Sequence, residues 1–94
     1  VMIRSWGNRE TEDVFKGYFV RNVAHDVQRR AERKLRYLHR ATSLDDLRAI
    51  PSNRLEKLKG MEERWSIRVN SQWRITFTWL NGHAWQVLIE DYHR

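Results

Sequence analysis

Residues 65–92 carry the sequence WSIRVNSQWRITFTWLNGHAWQVLIEDY, in which apolar and polar side chains alternate. Such alternation is typical of strands that bury one face, because successive side chains point to opposite sides of the backbone. We predict strands over 64–69, 73–80 and 84–92, preceded by a shorter strand over 55–59. The second half of the chain is therefore expected to form an antiparallel sheet.

The alternation assigns the side chains of the last three strands to two faces. The apolar face, which we expect to form the core, carries Trp65, Ile67, Val69, Trp73, Ile75, Phe77, Trp79, Trp85, Val87 and Ile89. The other face carries Ser66, Arg68, Arg74, Thr76, Thr78, Gln86, Glu90 and Tyr92, with Leu88 as its apolar exception. Paired residues must share a face, so we predict loops of odd length, at 70–72 and 81–83.

The predicted register brings like charges together. It sets Arg68 directly opposite Arg74, and Arg74 opposite Glu90. Two guanidinium groups in one row repel each other unless an anion lies between them, so the pair is better suited to binding a phosphate than to stabilising a sheet. In an alternative, purely structural interpretation, Glu90 neutralises one of the two arginines.

The first half of the chain has a helical period instead. A helix over 24–41 is predicted from one apolar stripe: Val27, Ala31, Leu35 and Leu38. The other predicted elements are a first strand over 2–6, a helix over 12–19 capped by Thr11, and a short helix that begins at Ser43 and is stopped by Pro51. A strand and helices followed by a meander indicate an α+β fold, with the helices packed on one face of the sheet.

Length and composition set limits on this fold. The 94 residues suffice for one modest core, so we expect a single domain over 1–94. The chain has no cysteine, which excludes disulfides, thiolate nucleophiles and cysteine-type zinc sites and suits a reducing cytoplasm. We see neither an apolar run of ~20 residues nor the apolar core of a signal peptide, and we expect a cytoplasmic protein without a membrane partner.

The charge of the chain points to a polyanionic partner. Eighteen Lys and Arg residues against twelve Asp and Glu residues give a net charge of +6. The long helix concentrates basic residues on the side away from its apolar stripe: Arg29, Arg30, Arg33, Lys34, Arg36 and Arg40. This surface is either solvated or in contact with an anionic partner. Groups for proton transfer lie at the end of the last strand and directly after it: Asp91, Tyr92 and His93.

Four stretches of the chain resemble a known family: residues 2–6 (MIRSW), 53–60 (NRLEKLKG), 65–75 (WSIRVNSQWRI) and 90–93 (EDYH). They resemble the HigB toxins, also called plasmid-maintenance killer proteins, of the RelE/ParE superfamily. The resemblance implies a compact RelE-like fold, ribosome-dependent cleavage of mRNA in the A site of the 30S subunit, and neutralisation by a helix-turn-helix antitoxin of the HigA type. It implies no cofactor.

The resemblance also implies roles for individual residues. The family's C-terminal acid, tyrosine and histidine fall on Asp91, Tyr92 and His93, and its phosphate-binding arginine falls on Arg74. The neighbours that we expect to bind RNA are Arg68, Lys57 and Lys59. Some relatives place a catalytic histidine where this chain has Glu56, so the general base is Glu56, His93 or, if the 2′-hydroxyl is only oriented, neither of them.

From these residues we predict metal-independent attack of an mRNA 2′-hydroxyl on the adjacent phosphorus, which leaves a cyclic phosphate and a free 5′-hydroxyl. The sequence has no cluster of carboxylates or histidines typical of a two-metal nuclease, and we expect no bound metal. Arg29, Arg33 and Arg36 are our candidates for docking to ribosomal RNA.

Two other functions compete with this prediction. One is a ParE-like toxin that acts on DNA gyrase by protein contact, and the other is a non-catalytic RNA-binding module. The ending Asp91-Tyr92-His93 beside two arginines favours catalysis, because a protein that acts only by binding has no chemical need of it.

Overall fold

The computed structural model describes residues 3–61 and 63–92. Its helices are α1 (Arg9–Phe15), α2 (His25–Arg40) and α3 (Leu44–Arg48), followed by a 3₁₀ turn at Pro51–Asn53. Its strands are β1 (Glu56–Lys57), β2 (Arg64–Arg68), β3 (Trp73–Leu80) and β4 (His83–Asp91). They form one antiparallel sheet in the order β1-β2-β3-β4, which confirms the predicted α+β fold.

The core lies between α2 and one face of the sheet. The predicted apolar stripe of α2 is buried throughout and packs against β3 and β4. Ile67, Ile75, Phe77 and Val87 are fully buried on the facing side of the sheet, and Trp65, Trp73 and Trp79 cover the edges of this cluster. None of the helices in residues 3–61 is both long and apolar enough to cross a membrane.

The predicted first strand lies beside β4 but is not continuous. Ile3 and Trp6 form isolated parallel bridges to Ala84 and Val87. The ladder between them is interrupted at Gln86, whose backbone φ of 50° marks an irregularity in β4. The segment therefore extends the sheet at its β4 edge as two separate bridges, and Met2, the first residue of the predicted strand, lies outside the described residues.

The first helix begins and ends earlier than predicted. Its N-cap is Asn8, whose side-chain oxygen accepts a hydrogen bond from the Thr11 backbone N–H at 2.9 Å. The prediction that Thr11 is the cap is wrong, because its hydroxyl is buried and accepts a hydrogen bond from the Ile89 backbone N–H at 2.9 Å. The helix ends at Phe15 because Gly17, with φ of 86°, turns the chain in the left-handed region.

The predictions for the second and third helices agree more closely with the structure. α2 extends over His25–Arg40, within one residue of the prediction at each end. The Ser43 side chain caps α3 by accepting a hydrogen bond from the Asp46 backbone N–H at 3.3 Å. Pro51 begins the 3₁₀ turn rather than ending α3, which already stops at Arg48.

The predicted strand register is present, but the second hairpin reaches it with a different turn. Arg68 lies opposite Arg74, and Arg74 lies opposite Glu90, as predicted. The second loop, however, is a two-residue turn at Asn81-Gly82, both with positive φ. A β-bulge at Gln86 adds the missing residue, so the shorter turn and the bulge cancel before the strand reaches Glu90.

Because of the bulge, one side chain lies on the opposite face of the sheet from the one predicted. Trp85 precedes the bulge and pairs with Thr78, so it belongs to the polar face and is 36% exposed. Its predicted place in the core is wrong, because the register before the bulge is shifted by one residue, and a one-residue shift exchanges the two faces.

Leu88, the apolar exception on the polar face, packs against the N-terminal segment at Gly7. A Cβ atom at Gly7 would lie 2.3 Å from Leu88 Cγ. We expect Gly7→Ala to lower the free energy of unfolding by about 1–3 kcal/mol, the usual range for overpacking. Urea denaturation measures this loss. The double variant with Leu88→Ala is the control: an equal loss in that background would show that the clash is not its cause.

Candidate active site

An open cleft of about 570 Å³ lies on the polar face of the sheet. It is lined by Arg54, Glu56, Arg68, Asn70, Ser71, Arg74 and Tyr92. These residues come from β1, β2, the β2–β3 loop and β3, and from the positions directly after the 3₁₀ turn and after β4. The meander therefore gathers side chains distant in sequence around one space.

Arg74 is the most firmly held side chain of the cleft. Its Nε donates to Ser66 Oγ at 2.8 Å, and its Nη2 donates to the Arg54 carbonyl oxygen at 2.7 Å. The same Nη2 lies 3.5 Å from Glu56 Oε1 in an ion pair. Only 12% of the Arg74 side chain is exposed, so the guanidinium has a defined orientation before any ligand binds.

The surroundings of Arg74 are rich in positive charge. Burial lowers the pKa of Arg74, the Glu56 carboxylate opposes this shift, and the neighbouring Arg68 and Arg54 add to it. An arginine nevertheless stays protonated at physiological pH. Because the cleft brings three guanidinium groups together around a single ion-paired carboxylate, its chemistry suits a phosphate group.

The Arg54 carbonyl is available to Arg74 because of an unusual backbone conformation. Arg54 ends the 3₁₀ turn with φ of 43°, in the left-handed region. The turn is anchored by Asn53, a fully buried residue whose side-chain amide donates to the Leu47 carbonyl at 3.0 Å. The sequence analysis missed Arg54, and the only signal was the turn-forming sequence Pro51-Ser52-Asn53 just before it.

Glu90 does not form an ion pair with Arg74, as it would in the interpretation in which Glu90 neutralises one of the two arginines. The Glu90 carboxylate instead accepts a hydrogen bond from the Thr76 hydroxyl, which itself accepts one from Arg64 Nη2 at 2.9 Å. Arg64 Nη1 also donates to Thr78 Oγ1 at 3.2 Å and to the Gln86 carbonyl oxygen at 3.0 Å.

These bonds form a network that runs across three strands beside the cleft, from Arg64 through Thr76 to Glu90. Burial lowers the pKa of Arg64, and the nearby charge of Glu90 opposes that shift. The sequence analysis missed Arg64, although its position two residues before Ser66 put it on the polar face.

Tyr92 stands where the cleft meets the end of β4. Its backbone N–H donates to the Gln72 carbonyl oxygen, which fixes it against the β2–β3 loop. Burial raises the pKa of the Tyr92 hydroxyl, Glu90 raises it further, and Arg74 and Arg64 oppose them. The hydroxyl is therefore protonated at neutral pH and able to donate a hydrogen bond into the cleft.

The structure places Asp91 outside the cleft. Asp91 lies opposite Trp73, on the parity of the core face, and its Oδ2 accepts from Gln72 Nε2 at 3.2 Å. Its carboxylate thus lies beside the loop and outside the residues that line the cleft. His93 lies outside the described residues.

The two predicted lysines line an adjoining space. Lys57 and Lys59 border a cleft of about 590 Å³ that shares Glu56 and Tyr92 with the first one. The basic surface predicted around Arg74 therefore continues along β1 and the segment that follows it.

The candidate docking arginines of α2 do not share one environment. Arg36 forms an ion pair with Glu32 at 3.0 Å, and its guanidinium lies 5.3 Å from the centre of the Phe15 ring. Arg29 borders a small cleft near Phe19 on the α1 side of the helix. Arg33 is turned toward the sheet, where it lines a groove next to the candidate active site.

The histidines in the described residues lie elsewhere. His39 packs on Phe15, and burial lowers its pKa. His25 packs on Phe19, and His83 lies 3.4 Å from Arg4 Nη2. Within residues 3–61 and 63–92, no group of three or more His, Asp or Glu side chains is arranged to hold a metal ion.

This small basic protein therefore has helices on one face of an antiparallel sheet and an arginine-rich cleft on the other. The family described as "RelE-like toxin of type II toxin-antitoxin system HigB" matches residues 7–93. The chain belongs to this family, which implies an antitoxin partner.

Two relatives agree with this assignment. The chain is 40% identical over 95 aligned positions to the protein named Endoribonuclease HigB of Proteus vulgaris, covering 98% of this chain and 100% of the relative. It is 37% identical over 73 residues to Toxin HigB-1 of Vibrio cholerae serotype O1, covering 77% of each chain.

Proposed function

We propose that the protein is a toxin with endoribonuclease activity, which cleaves mRNA at a phosphodiester held between Arg68 and Arg74. The family and the relative named Endoribonuclease HigB support this activity. The observation that carries the proposal is the Arg68/Arg74 pair, fixed by the sheet register beside Tyr92 and Glu56. Such a pair stabilises the negative charge that develops on a phosphate during in-line attack.

In the proposed reaction, the 2′-oxygen of one nucleotide attacks the adjacent phosphorus and the bond to the 5′-oxygen breaks. Arg74 and Arg68 bind the non-bridging oxygens. The Glu56 carboxylate accepts the 2′-hydroxyl proton, and the Tyr92 hydroxyl donates to the departing 5′-oxygen. The products are a 2′,3′-cyclic phosphate and a 5′-hydroxyl. The family resemblance offers His93 as the alternative general base and implies a positioning role for Asp91.

The proposed setting is the A site of the 30S ribosomal subunit in the cytoplasm, with a helix-turn-helix antitoxin of the HigA type as the neutralising partner. α2 would dock on ribosomal RNA through Arg29, Arg33 and Arg36. Arg29 would carry most of this contact, because Glu32 already neutralises Arg36 and Arg33 lines the groove next to the candidate active site. A toxin that acts on gyrase by protein contact would gain nothing from paired guanidiniums beside a tyrosine hydroxyl.

The function is tested with purified toxin, ribosomes programmed with a defined mRNA, and the same mRNA alone. We expect cleavage within the A-site codon on ribosomes and little or none of the free mRNA. Toxin treated with EDTA should remain active once the magnesium that ribosomes need is restored. Absence of cleavage in both mixtures would contradict the proposal, and activity restored only by a transition metal would contradict its metal-free chemistry.

A further inference from the structure

A second and larger cleft, of about 810 Å³, adjoins the candidate active site. The two clefts share Arg54, Arg68 and the β2–β3 loop residues Asn70 and Ser71. The far wall of the second cleft is supplied by α2, through Arg30, Arg33, Lys34 and Tyr37. An RNA strand bound in the first cleft can therefore continue into the second cleft without leaving the protein surface.

The charge of the second cleft is entirely positive. Its ionisable lining residues are cationic apart from the Tyr37 phenol: Arg30, Arg33, Lys34, Arg54 and Arg68. Among these described lining residues there is no carboxylate, whereas Arg74 in the first cleft is paired with Glu56. An anionic ligand would relieve the mutual repulsion of these groups.

Lys34 is the most unusual of these cations, because its residue is only 8% exposed. Its Nζ donates to Ser52 Oγ at 2.9 Å and to Asn53 Oδ1 at 2.7 Å, and both acceptors are neutral. An ammonium group has three donors, so these two bonds leave one for a ligand. A buried cation without a carboxylate is costly, and a phosphate would compensate for it.

Tyr37 adds an aromatic surface to this charged wall. The residue is half-buried, and its ring centre lies 5.6 Å from Lys34 Nζ. A tyrosine ring beside cations is a platform on which a nucleic-acid base can stack, whatever its identity.

We propose that this second cleft is a nucleotide subsite, which binds the nucleotide adjacent to the dinucleotide that contains the scissile phosphate, on the same RNA strand. Arg30, Arg33 and Lys34 bind its phosphate, and its base stacks on Tyr37. The inference rests on the proposed function, because it takes the first cleft as the place of cleavage. It adds a contact through which α2 holds the substrate itself.

The test measures binding of 2′-O-methyl RNA oligonucleotides, which cannot be cleaved because they have no free 2′-hydroxyl. Fluorescence anisotropy is recorded for lengths of two to five nucleotides with wild-type protein, Tyr37→Ala and Tyr37→Phe. We expect wild-type affinity to rise with length. Tyr37→Ala should lose about 5- to 150-fold of that increase, the range for base stacking, and keep its affinity for the dinucleotide. Tyr37→Phe should behave as wild type.

Arg40→Ala is the matched control, since it removes an exposed cation from the same helix outside the clefts described above. The proposal is overturned if Tyr37→Ala binds every length as wild type does, or if wild-type affinity does not rise with length. If Tyr37→Ala binds ribosomes more weakly but binds every oligonucleotide as wild type does, the cleft contacts ribosomal RNA, and this result would also overturn the proposal. Wild-type cleavage on ribosomes, measured in parallel, shows separately whether the proposed function stands.

Discussion

Replacing Arg74 with alanine is expected to lower the rate of mRNA cleavage by at least about 100-fold and to abolish growth inhibition. This magnitude is typical of removing one preorganised group that stabilises charge in a transition state. The effect is expected to be large because Arg74 is held in place by Ser66, the Arg54 carbonyl and Glu56 before substrate binds. Single-turnover cleavage on programmed ribosomes measures it.

Two variants separate the chemistry of Arg74 from its structural role. Arg74→Lys keeps the charge but lacks the planar fork of donors, so it should also be impaired. Ser66→Ala removes the bond to Arg74 Nε while keeping the guanidinium, and should cost about 1 kcal/mol of stability with a smaller loss of rate. An Arg74→Ala protein that folds and remains fully toxic would remove Arg74 from the site.

The second large effect is expected for Tyr92→Phe, which removes only the hydroxyl. We expect cleavage to slow by about 100-fold or more, as for loss of a group that transfers a proton in the transition state. The ring stays in place, so binding of substrate should change little. Measuring the rate constant and the affinity separately distinguishes these effects, and a Tyr92→Phe protein that cleaves at the wild-type rate would show that Tyr92 acts through its ring alone.

The pH dependence gives an independent check on Tyr92. Burial and Glu90 raise the pKa of its hydroxyl above the usual value of about 10, so the protonated form persists to higher pH than for a free tyrosine. The wild-type rate should therefore show no decline from loss of this proton between pH 7 and 9. A fall in that range that disappears in Tyr92→Phe would contradict the direction of the shift.

The sequence was most informative where one periodicity determines many positions. The stripe from Val27 to Leu38 gave α2 to within one residue, and alternation gave the Arg68/Arg74 and Arg74/Glu90 pairs. Trp85 was misplaced because a two-residue turn and a bulge compensate for each other, and alternation alone cannot reveal two changes that cancel.

The candidate site was predicted only in part, for a different reason. The place of Arg54 in the site depends on its backbone conformation, and the places of Arg64 and Lys34 depend on long-range hydrogen bonds. Neither feature leaves a periodic signal in the sequence. Lys34 was assigned to a basic helix face, yet it is buried against the 3₁₀ turn because that turn supplies two side-chain oxygens. Asp91 keeps the core-face parity opposite Trp73, and the role expected of it in the site stays a prediction.

The most direct test of the mechanism uses an mRNA with a single 2′-deoxy substitution at the nucleotide 5′ to the cleaved bond. If the 2′-oxygen is the nucleophile, the substituted mRNA should not be cut at that position on ribosomes. The unmodified mRNA should give a 2′,3′-cyclic phosphate and a 5′-hydroxyl at the same bond. Cleavage of the substituted mRNA at a comparable rate, or a 5′-phosphate on the product, would contradict the mechanism.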